Sequence, residues 1–220
     1  MKDLQKMGGI AALYSAAALL FAMVGYLLIL GTTTVVDPVQ KVANFVDNQA
    51  FFYILNLVAY VVWGVFMVVL ALALYERLKA GSPAMMQTAT AIGLIWACIV
   101  IASGQISNIG MDTVVDLYGK DPAQAATVWL AIGPVADGLS SAGGEILGGL
   151  WMLLVSWAAL RAGEFPRILN YLGALIGVAG LFSAVPVVGE PGLYIFGLGK
   201  IVWCIWLGIV MLRGSTSGTE

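Results

Sequence analysis

The stretch FFYILNLVAYVVWGVFMVVLALALY, residues 51–75, decides the fold of this chain. It contains no charged side chain, and Asn56 is its most polar residue. A helix that crosses the ~30 Å hydrocarbon core of a bilayer needs about 20 predominantly apolar residues. Residues 51–75 are therefore long enough and apolar enough to predict a transmembrane helix.

The composition extends this interpretation to the whole chain. Of its 220 residues, 61% are hydrophobic and 10% are charged, whereas soluble domains contain about 25% charged residues. The mean hydropathy is +0.97. The net charge of -2 gives no basis for nucleic-acid binding. The composition thus predicts a membrane protein whose first partner is the lipid bilayer.

The metal-binding and redox residue types are scarce. The chain has no histidine, which excludes histidine-ligated haem, most zinc and copper sites and a histidine general base. Cys98 and Cys204 lie in apolar runs and lack CxxC spacing, so we interpret them as reduced packing residues. We predict no metal site and no cofactor.

Six apolar segments predict an all-α membrane protein with six transmembrane helices. They form a single polytopic membrane domain over residues 1–220. The first segment is longer than the ~7–15 apolar residues of a signal peptide, so we expect it to be retained. The segments are about 9–31, 51–75, 86–108, 140–161, 168–187 and 192–213.

The basic residues predict an orientation for these segments. They fall mostly on one side of the predicted membrane, as in cytoplasmic loops. That side carries Lys2, Lys6, Arg77, Lys79, Arg161, Arg167 and Arg213. The other side carries Lys41 and Lys120. Both termini are therefore expected in the cytoplasm.

The external segment 109–139 contains a further helical pattern, DPAQAATVWLAIGPVADG. Asp121 is suited to cap a helix that begins at Pro122. Gly133 and Pro134 interrupt the pattern. We therefore expect an extra interfacial or re-entrant helix here rather than another span.

Small residues predict which helices pack closely, because helices in lipid associate through close backbone approach. Gly173, Gly177 and Gly180 lie on one side of the fifth segment, and Gly148 and Gly149 lie in the fourth. The short connection RAGEFPR makes these two helices antiparallel neighbours.

Two charged residues stand inside the apolar segments. A charge at the bilayer centre costs roughly 2.5–3.5 kcal/mol on insertion scales. At about 1.5 Å per residue, Glu145 lies roughly 8–10 Å and Lys200 roughly 12 Å below the outer end of its span. Both are thus expected in the outer half of the membrane.

Other polar and aromatic residues are predicted at a similar level. Asn56 is followed at helical spacing by Tyr60 and Trp63, and Trp203 shares a face with Lys200. The predicted polar layer comprises Glu145, Lys200, Asn56, Gln105, Tyr60, Trp63, Trp203 and Asp137.

Two interpretations of this layer remain open. In the first, Glu145 and Lys200 form a structural ion pair that fixes the helix register. In the second, the layer forms the wall of a pocket that opens to the outside. They overlap, because a buried pair can also line a water-filled cavity.

The C-terminal third resembles a known family. The segment GGEILGGLWMLLVSWAALRAGEFPRILNYLGALIGVAGLFSAVP, followed by FGLGKIVWCIWLGIVMLR, spans residues 143–213. It is similar to an uncharacterised family of bacterial six-span membrane proteins, classed as DUF4386-like. The resemblance implies a multi-pass protein of the bacterial cytoplasmic membrane. It implies no activity and no catalytic residues.

Three classes of function follow. The first is a non-enzymatic bundle, transporter-like, that binds a small-molecule or lipidic ligand from the outer side. The second is an accessory or assembly subunit of a larger membrane complex, with a partner subunit or a second copy as its partner. The third is an intramembrane enzyme, for which we find no defensible catalytic motif.

Overall fold

The computed structural model describes residues 2–30, 37–183, 185 and 189–216. Within these ranges every regular element is a helix. The α-helices are α1 (Lys2–Leu30), α2 (Pro38–Asp47), α3 (Gln49–Asn56), α4 (Trp63–Leu78), α5 (Pro83–Tyr118), α6 (Pro122–Asp137), α7 (Gly143–Ala162), α8 (Arg167–Phe182) and α9 (Gly189–Thr216). The all-helical prediction is confirmed for this part of the chain.

Two π-helical turns join α-helices into longer continuous ones. Leu57–Val62 connects α3 to α4, so Gln49–Leu78 runs as one helix. Gly138–Ala142 connects α6 to α7 in the same way. The helix predicted in the external segment therefore exists, but it is not separate from the fourth span. Pro134 lies inside α6 without ending it.

The helices α2 and α6 both begin with a capping aspartate followed by a proline, and the start of α6 is where the sequence predicts it. The Asp121 side chain accepts hydrogen bonds from the backbone N–H groups of Ala123 and Gln124, both at 3.0 Å. Asp37 accepts one from Val39 in the same way. A proline occupies the first turn of α2 and of α6, where its missing N–H costs nothing.

Among the described residues, five helices are long and apolar enough to cross a membrane. They are Asp3–Ile29, Gln49–Leu78, Pro83–Tyr118, Pro122–Ala162 and Pro191–Gly214. The segment predicted as a fifth span, 168–187, corresponds to the 16-residue helix α8; residues 184, 186 and 187 lie outside the described part. The count of six spans thus stays a prediction.

The six long helical segments close into a ring. Going round it, α1 packs on α4, α4 on α5, α5 on α7, α7 on α8, α8 on α9, and α9 on α1. The centre is filled by buried side chains from all six, and its largest members include Trp63, Trp96, Trp151 and Trp203.

One end of the ring carries most of the basic residues, and we call it the basic end. Arg77 forms an ion pair with Glu164 at 2.9 Å and lies over the ring of Phe165 at 4.5 Å. Gln5 donates a hydrogen bond to the Ala73 carbonyl at 3.0 Å. The start of α1 and both short turns therefore meet at this end.

The opposite end is covered by a small helical layer, the cap, made of α2, α6 and residues 111–118 of α5. Val42, Val114 and Ala125 form a buried cluster there. Phe45 and Met111 pack with Phe52 in a second cluster. With 36 residues, α5 is about 54 Å long, so it is far longer than the hydrocarbon core is thick.

Glycines bring α7 and α8 into backbone contact. A Cβ at Gly177 would lie 2.7 Å from the Gly149 carbonyl oxygen and 2.8 Å from the Leu153 nitrogen. A Cβ at Gly180 would lie 2.9 Å from the Gly149 Cα. Because backbone atoms cannot move aside as a flexible side chain can, only glycine fits here. The predicted small-residue interface is confirmed.

We expect Gly177→Ala to lower the thermal midpoint of the purified protein, because the added methyl group forces α7 and α8 apart. Overpacking of this kind costs about 1–3 kcal/mol. Gly197→Ala is the matched control, since a Cβ there meets nothing within 4 Å and alanine favours a helix by about 1 kcal/mol. A Gly177→Ala midpoint at or above the wild-type value would contradict the close contact.

Candidate ligand-binding site

The two π-helical turns face each other inside the bundle. Tyr60 lies in the turn Leu57–Val62, and Ser140 lies in Gly138–Ala142. The side chains of Tyr60 and Ser140 lie close together and line the same cavities, and Tyr26 is beside Tyr60. π-Helical turns are rare, and where they occur inside α-helices they often mark functional sites.

A cavity of about 200 Å³ lies next to this contact, and we call it the Lys200 cavity. Its wall carries one cation, one carboxyl group, two hydroxyl groups and three large aromatic rings. These are Lys200, Glu145, Tyr60, Ser140, Trp63, Trp96 and Phe196. Leu19 and Val100 supply apolar surface, and Gly197 leaves part of the wall open.

The ammonium group of Lys200 is surrounded by aromatic rings. Nζ lies 4.7 Å from the ring centroid of Phe196, 5.3 Å from Trp96 and 5.7 Å from Trp63. A cation within about 6 Å of a ring face is attracted by the electron-rich face, more strongly when it is shielded from water. Three rings from three helices therefore offset part of the cost of burying this charge.

Glu145 lines the same cavity, but one of its carboxyl oxygens has no stabilising contact comparable to the rings around Lys200. Its Oε2 atom is buried and has no hydrogen-bond partner among the described residues. The hydroxyl of Ser183, although near, donates to the Gly180 carbonyl at 2.6 Å. An unpaired buried carboxyl oxygen is uncommon and calls for a partner such as water or a ligand.

The direct Glu145–Lys200 ion pair considered above is not formed. Both residues are described, both line the cavity, and they do not approach within 4.0 Å. The physical reason is that the lysine side chain is directed at the aromatic rings, so open space separates the two charged groups. Glu145 on α7 and Lys200 on α9 thus face the same cavity without contacting each other.

The floor of the site is a packed column of indole rings. Trp63 and Trp96 meet with centroids 5.0 Å apart, and Trp151 follows at 6.0 Å from Trp96. Trp203 comes next, 6.1 Å from Trp151. The gap beside these rings is only about 10 Å³. Trp203 therefore belongs to the floor and does not line the Lys200 cavity.

Glycines make room for this column. A Cβ at Gly148 would lie 2.5 Å from Trp96 and 2.8 Å from Phe196. A Cβ at Gly93 would lie 2.7 Å from the Trp151 indole nitrogen. The aromatic side chains thus fit in the centre of the helix bundle only because Gly93 and Gly148 have no side chain.

A second cavity of about 280 Å³ adjoins the first on the cap side, and we call it the outer cavity. Tyr60 and Ser140 line both cavities, so they stand at the boundary. A third cavity of about 190 Å³ shares Lys41, Trp129 and Asp137 with the outer cavity. Together the three form a series that leads from the cap to Lys200.

The outer cavity is lined by hydrogen-bonding groups without a buried charge. Asn56 donates from Nδ2 to the Asn108 Oδ1 at 2.9 Å, and both residues are buried. Asn108 in turn approaches the Tyr53 carbonyl at 3.5 Å. These two amides fix α5 against α3 beside the cavity.

The structure places the eight residues of the predicted polar layer at different depths. Glu145, Lys200, Tyr60 and Trp63 line the Lys200 cavity. Asn56 and Asp137 line the outer cavity, and Trp203 lies in the floor.

Gln105 is exposed in a separate groove with Ile106 and Ile132. On α5 the buried polar positions are Ser103 and Asn108, so Gln105 points away from the other members of the layer.

Sequence reasoning missed the role of two aromatic residues. Trp96 and Phe196 were not assigned to the polar layer, although they are two of the three rings around Lys200. Phe196 could have been found, because it precedes Lys200 by four positions and thus lies one turn away on the same face. Trp96 carried no such signal, since it lies on a different helix.

The fold and the site together define a class: an all-helical protein with several helices apolar enough to span a membrane, and a polar–aromatic cavity inside the bundle. The family model described as "Domain of unknown function (DUF4386)" matches residues 10–210. The chain therefore belongs to this family, and the resemblance seen over residues 143–213 extends to nearly all of it. No curated protein and no solved structure matches the chain.

We expect Asn56→Leu to destabilise the protein, because it leaves the buried Asn108 amide without its donor. Loss of one partner of a buried hydrogen bond costs about 1–3 kcal/mol. The double variant Asn56→Leu/Asn108→Leu is expected to recover part of this loss. Thermal unfolding in a fixed detergent measures both.

Gln105→Leu is the control for this experiment, since it makes the same kind of change at an exposed amide. We expect a midpoint close to wild type. Equal losses for Asn56→Leu and Gln105→Leu, or a double variant worse than the sum of the singles, would contradict the paired arrangement.

Proposed function

We propose that this protein binds a small or lipidic ligand in the Lys200 cavity and that it acts as a transporter-like binder. The observation that carries the proposal is the cavity itself. It combines an ammonium group, a carboxyl oxygen without a partner and three aromatic rings in about 200 Å³. Ligand sites are typically apolar and aromatic concavities with a few polar groups.

The separation of the two charged residues supports binding over a purely structural role. Burying a charge is costly, and attraction within a direct, well-hydrogen-bonded pair offsets part of that cost. Glu145 and Lys200 lie on neighbouring walls but leave this pairing unmade. Groups held apart in this way can both face a third molecule.

The position of the cavities supports access from the cap side. The outer cavity and the cavity at Lys41 lie between the cap and Lys200. The basic end, with Arg77, Lys79 and Arg167, is the side expected in the cytoplasm. We therefore propose that the ligand enters from outside the bacterial cytoplasmic membrane and that both termini are cytoplasmic.

Tyr60 and Ser140 are suited to control passage between the cavities. Each lies in a π-helical turn and each lines both cavities. Single π-helical turns inside α-helices are rare and are found frequently at functional sites. In the proposed mechanism, movement at this contact opens or closes the route to Lys200.

Native mass spectrometry of gently purified protein tests the proposal. We expect a retained small-molecule adduct on the wild-type protein and loss of that adduct in Gly197→Leu. Gly197 lines the cavity and a Cβ there meets no atom within 4 Å, so a leucine side chain would occupy cavity space without a clash at its Cβ. The fold should therefore tolerate the change.

Gly119→Leu is the matched control. Gly119 ends α5, and a Cβ there also meets nothing within 4 Å. We expect this variant to keep the adduct and the wild-type thermal midpoint. Absence of any adduct from wild type, or an adduct that survives Gly197→Leu, would contradict binding in the Lys200 cavity.

A further inference from the structure

We propose that the Lys200 cavity recognises an amphoteric ligand, that is, a small molecule carrying one anionic group and one ammonium group. Lys200 would bind the anionic group, and Glu145 would accept hydrogen bonds from the ammonium group. This inference rests on the proposed function and specifies the chemical class of its ligand.

The first reason for an amphoteric ligand is that the two charged residues of the cavity wall are kept apart. Lys200 and Glu145 ordinarily carry opposite charges, and neither has an oppositely charged partner within 4.0 Å in the described part of the chain. The Glu145 Oε2 lacks any donor. A simple anion would satisfy Lys200 but would bring a second negative charge towards Glu145. An amphoteric ligand satisfies both groups.

The route to the cavity is the second reason. The outer cavity is lined by neutral hydrogen-bonding side chains such as Asn56, Ser107 and Tyr60. At its cap-side end, Lys41 and Asp137 again offer one charge of each sign. Neutral hydrogen-bonding groups can solvate either charged group of a ligand, and a cap-side end with one charge of each sign favours neither a cation nor an anion. This lining suits a ligand that carries both charges.

The size and walls of the cavity limit the ligand further. Since a 150 Å³ apolar cavity holds benzene, which has six non-hydrogen atoms, a cavity of about 200 Å³ accommodates a molecule of about eight. Trp63 and Phe196 offer apolar ring surface beside the charged groups. The fitting class is thus a small α-amino acid or the phosphoethanolamine head group of a lipid, which share the same pair of charges.

The experiment uses the full-length protein and compounds that differ by one charged group. L-Leucine carries both groups, 4-methylpentanoate lacks the ammonium group, and 3-methylbutylamine lacks the carboxylate. Glycine, L-phenylalanine and phosphoethanolamine extend the panel. Binding is followed by the shift in thermal midpoint and by isothermal titration in detergent.

We expect at least one amphoteric compound of this panel to bind. If it is leucine, each analogue lacking one charged group should bind about ten- to a hundredfold more weakly, because a charged hydrogen bond is lost. For any other binder, the corresponding deaminated and decarboxylated analogues serve the same purpose. Nanodiscs with and without phosphatidylethanolamine test whether the ligand is a lipid. If this lipid raises the thermal midpoint of the protein and none of the free compounds does, the ligand is the lipid head group.

Variants assign each charge to its residue. In Lys200→Met, the amphoteric compound should bind no better than the amine that lacks its anionic group. In Glu145→Gln, it should bind no better than the analogue that lacks the ammonium group. Lys120→Met and Glu76→Gln make the same changes outside the cavity and should leave the preference intact. If a cavity variant fails to fold, the analogue series measured on the wild-type protein still shows whether both charged groups of the ligand are needed for binding.

The outcomes separate this inference from the proposed function. Equal binding of 4-methylpentanoate and leucine overturns the amphoteric class, because it indicates an anion site. If native mass spectrometry shows a cavity adduct and no amphoteric compound or lipid binds, the class is overturned and the proposed function stands. If neither an adduct nor binding is found, both are overturned and the cavity holds water only.

Discussion

The interior of this protein depends on how it accommodates one lysine. Lys200 lies within an apolar helix, and its ammonium group is held by the rings of Trp63, Trp96 and Phe196. These rings come from three helices, so their positions require the helices to close around a common centre. Gly148 must lack a side chain for two of the rings to fit. The open space left beside the lysine is the cavity on which the proposed function rests.

Features that depend on neighbouring residues could be predicted from the sequence. Apolar length predicted the long helices, and Asp121 followed by Pro122 predicted the start of α6, because these signals act within one turn. The approach of Gly149 to Gly177 was predictable since glycine at helical spacing marks close contact between helices. The family resemblance also rested on a contiguous segment, residues 143–213.

Features that depend on helix rotation or on distant helices could not be predicted in this way. The π-helical turn Leu57–Val62 changes the direction of the side chains that follow it, because each of its turns holds more residues than an α-helical turn. Asn56, before this turn, lines the outer cavity, whereas Trp63, after it, lines the Lys200 cavity. Simple spacing could not show that Gln105 points outward, nor that Lys200 contacts rings instead of Glu145.

The short length of α8 has a consequence for the surrounding lipid. Its 16 residues extend about 24 Å, whereas the hydrocarbon core of a typical bilayer is about 30 Å thick. Its neighbours α7 and α9 are longer, with 20 and 28 residues. A bilayer that meets a short helix on one side of a bundle becomes thinner there, at a modest cost per ångström of mismatch. If α8 crosses the membrane as the sequence predicts, the hydrophobic belt of the protein is uneven, and the lipids beside α8 meet a shorter apolar surface than those along the other helices.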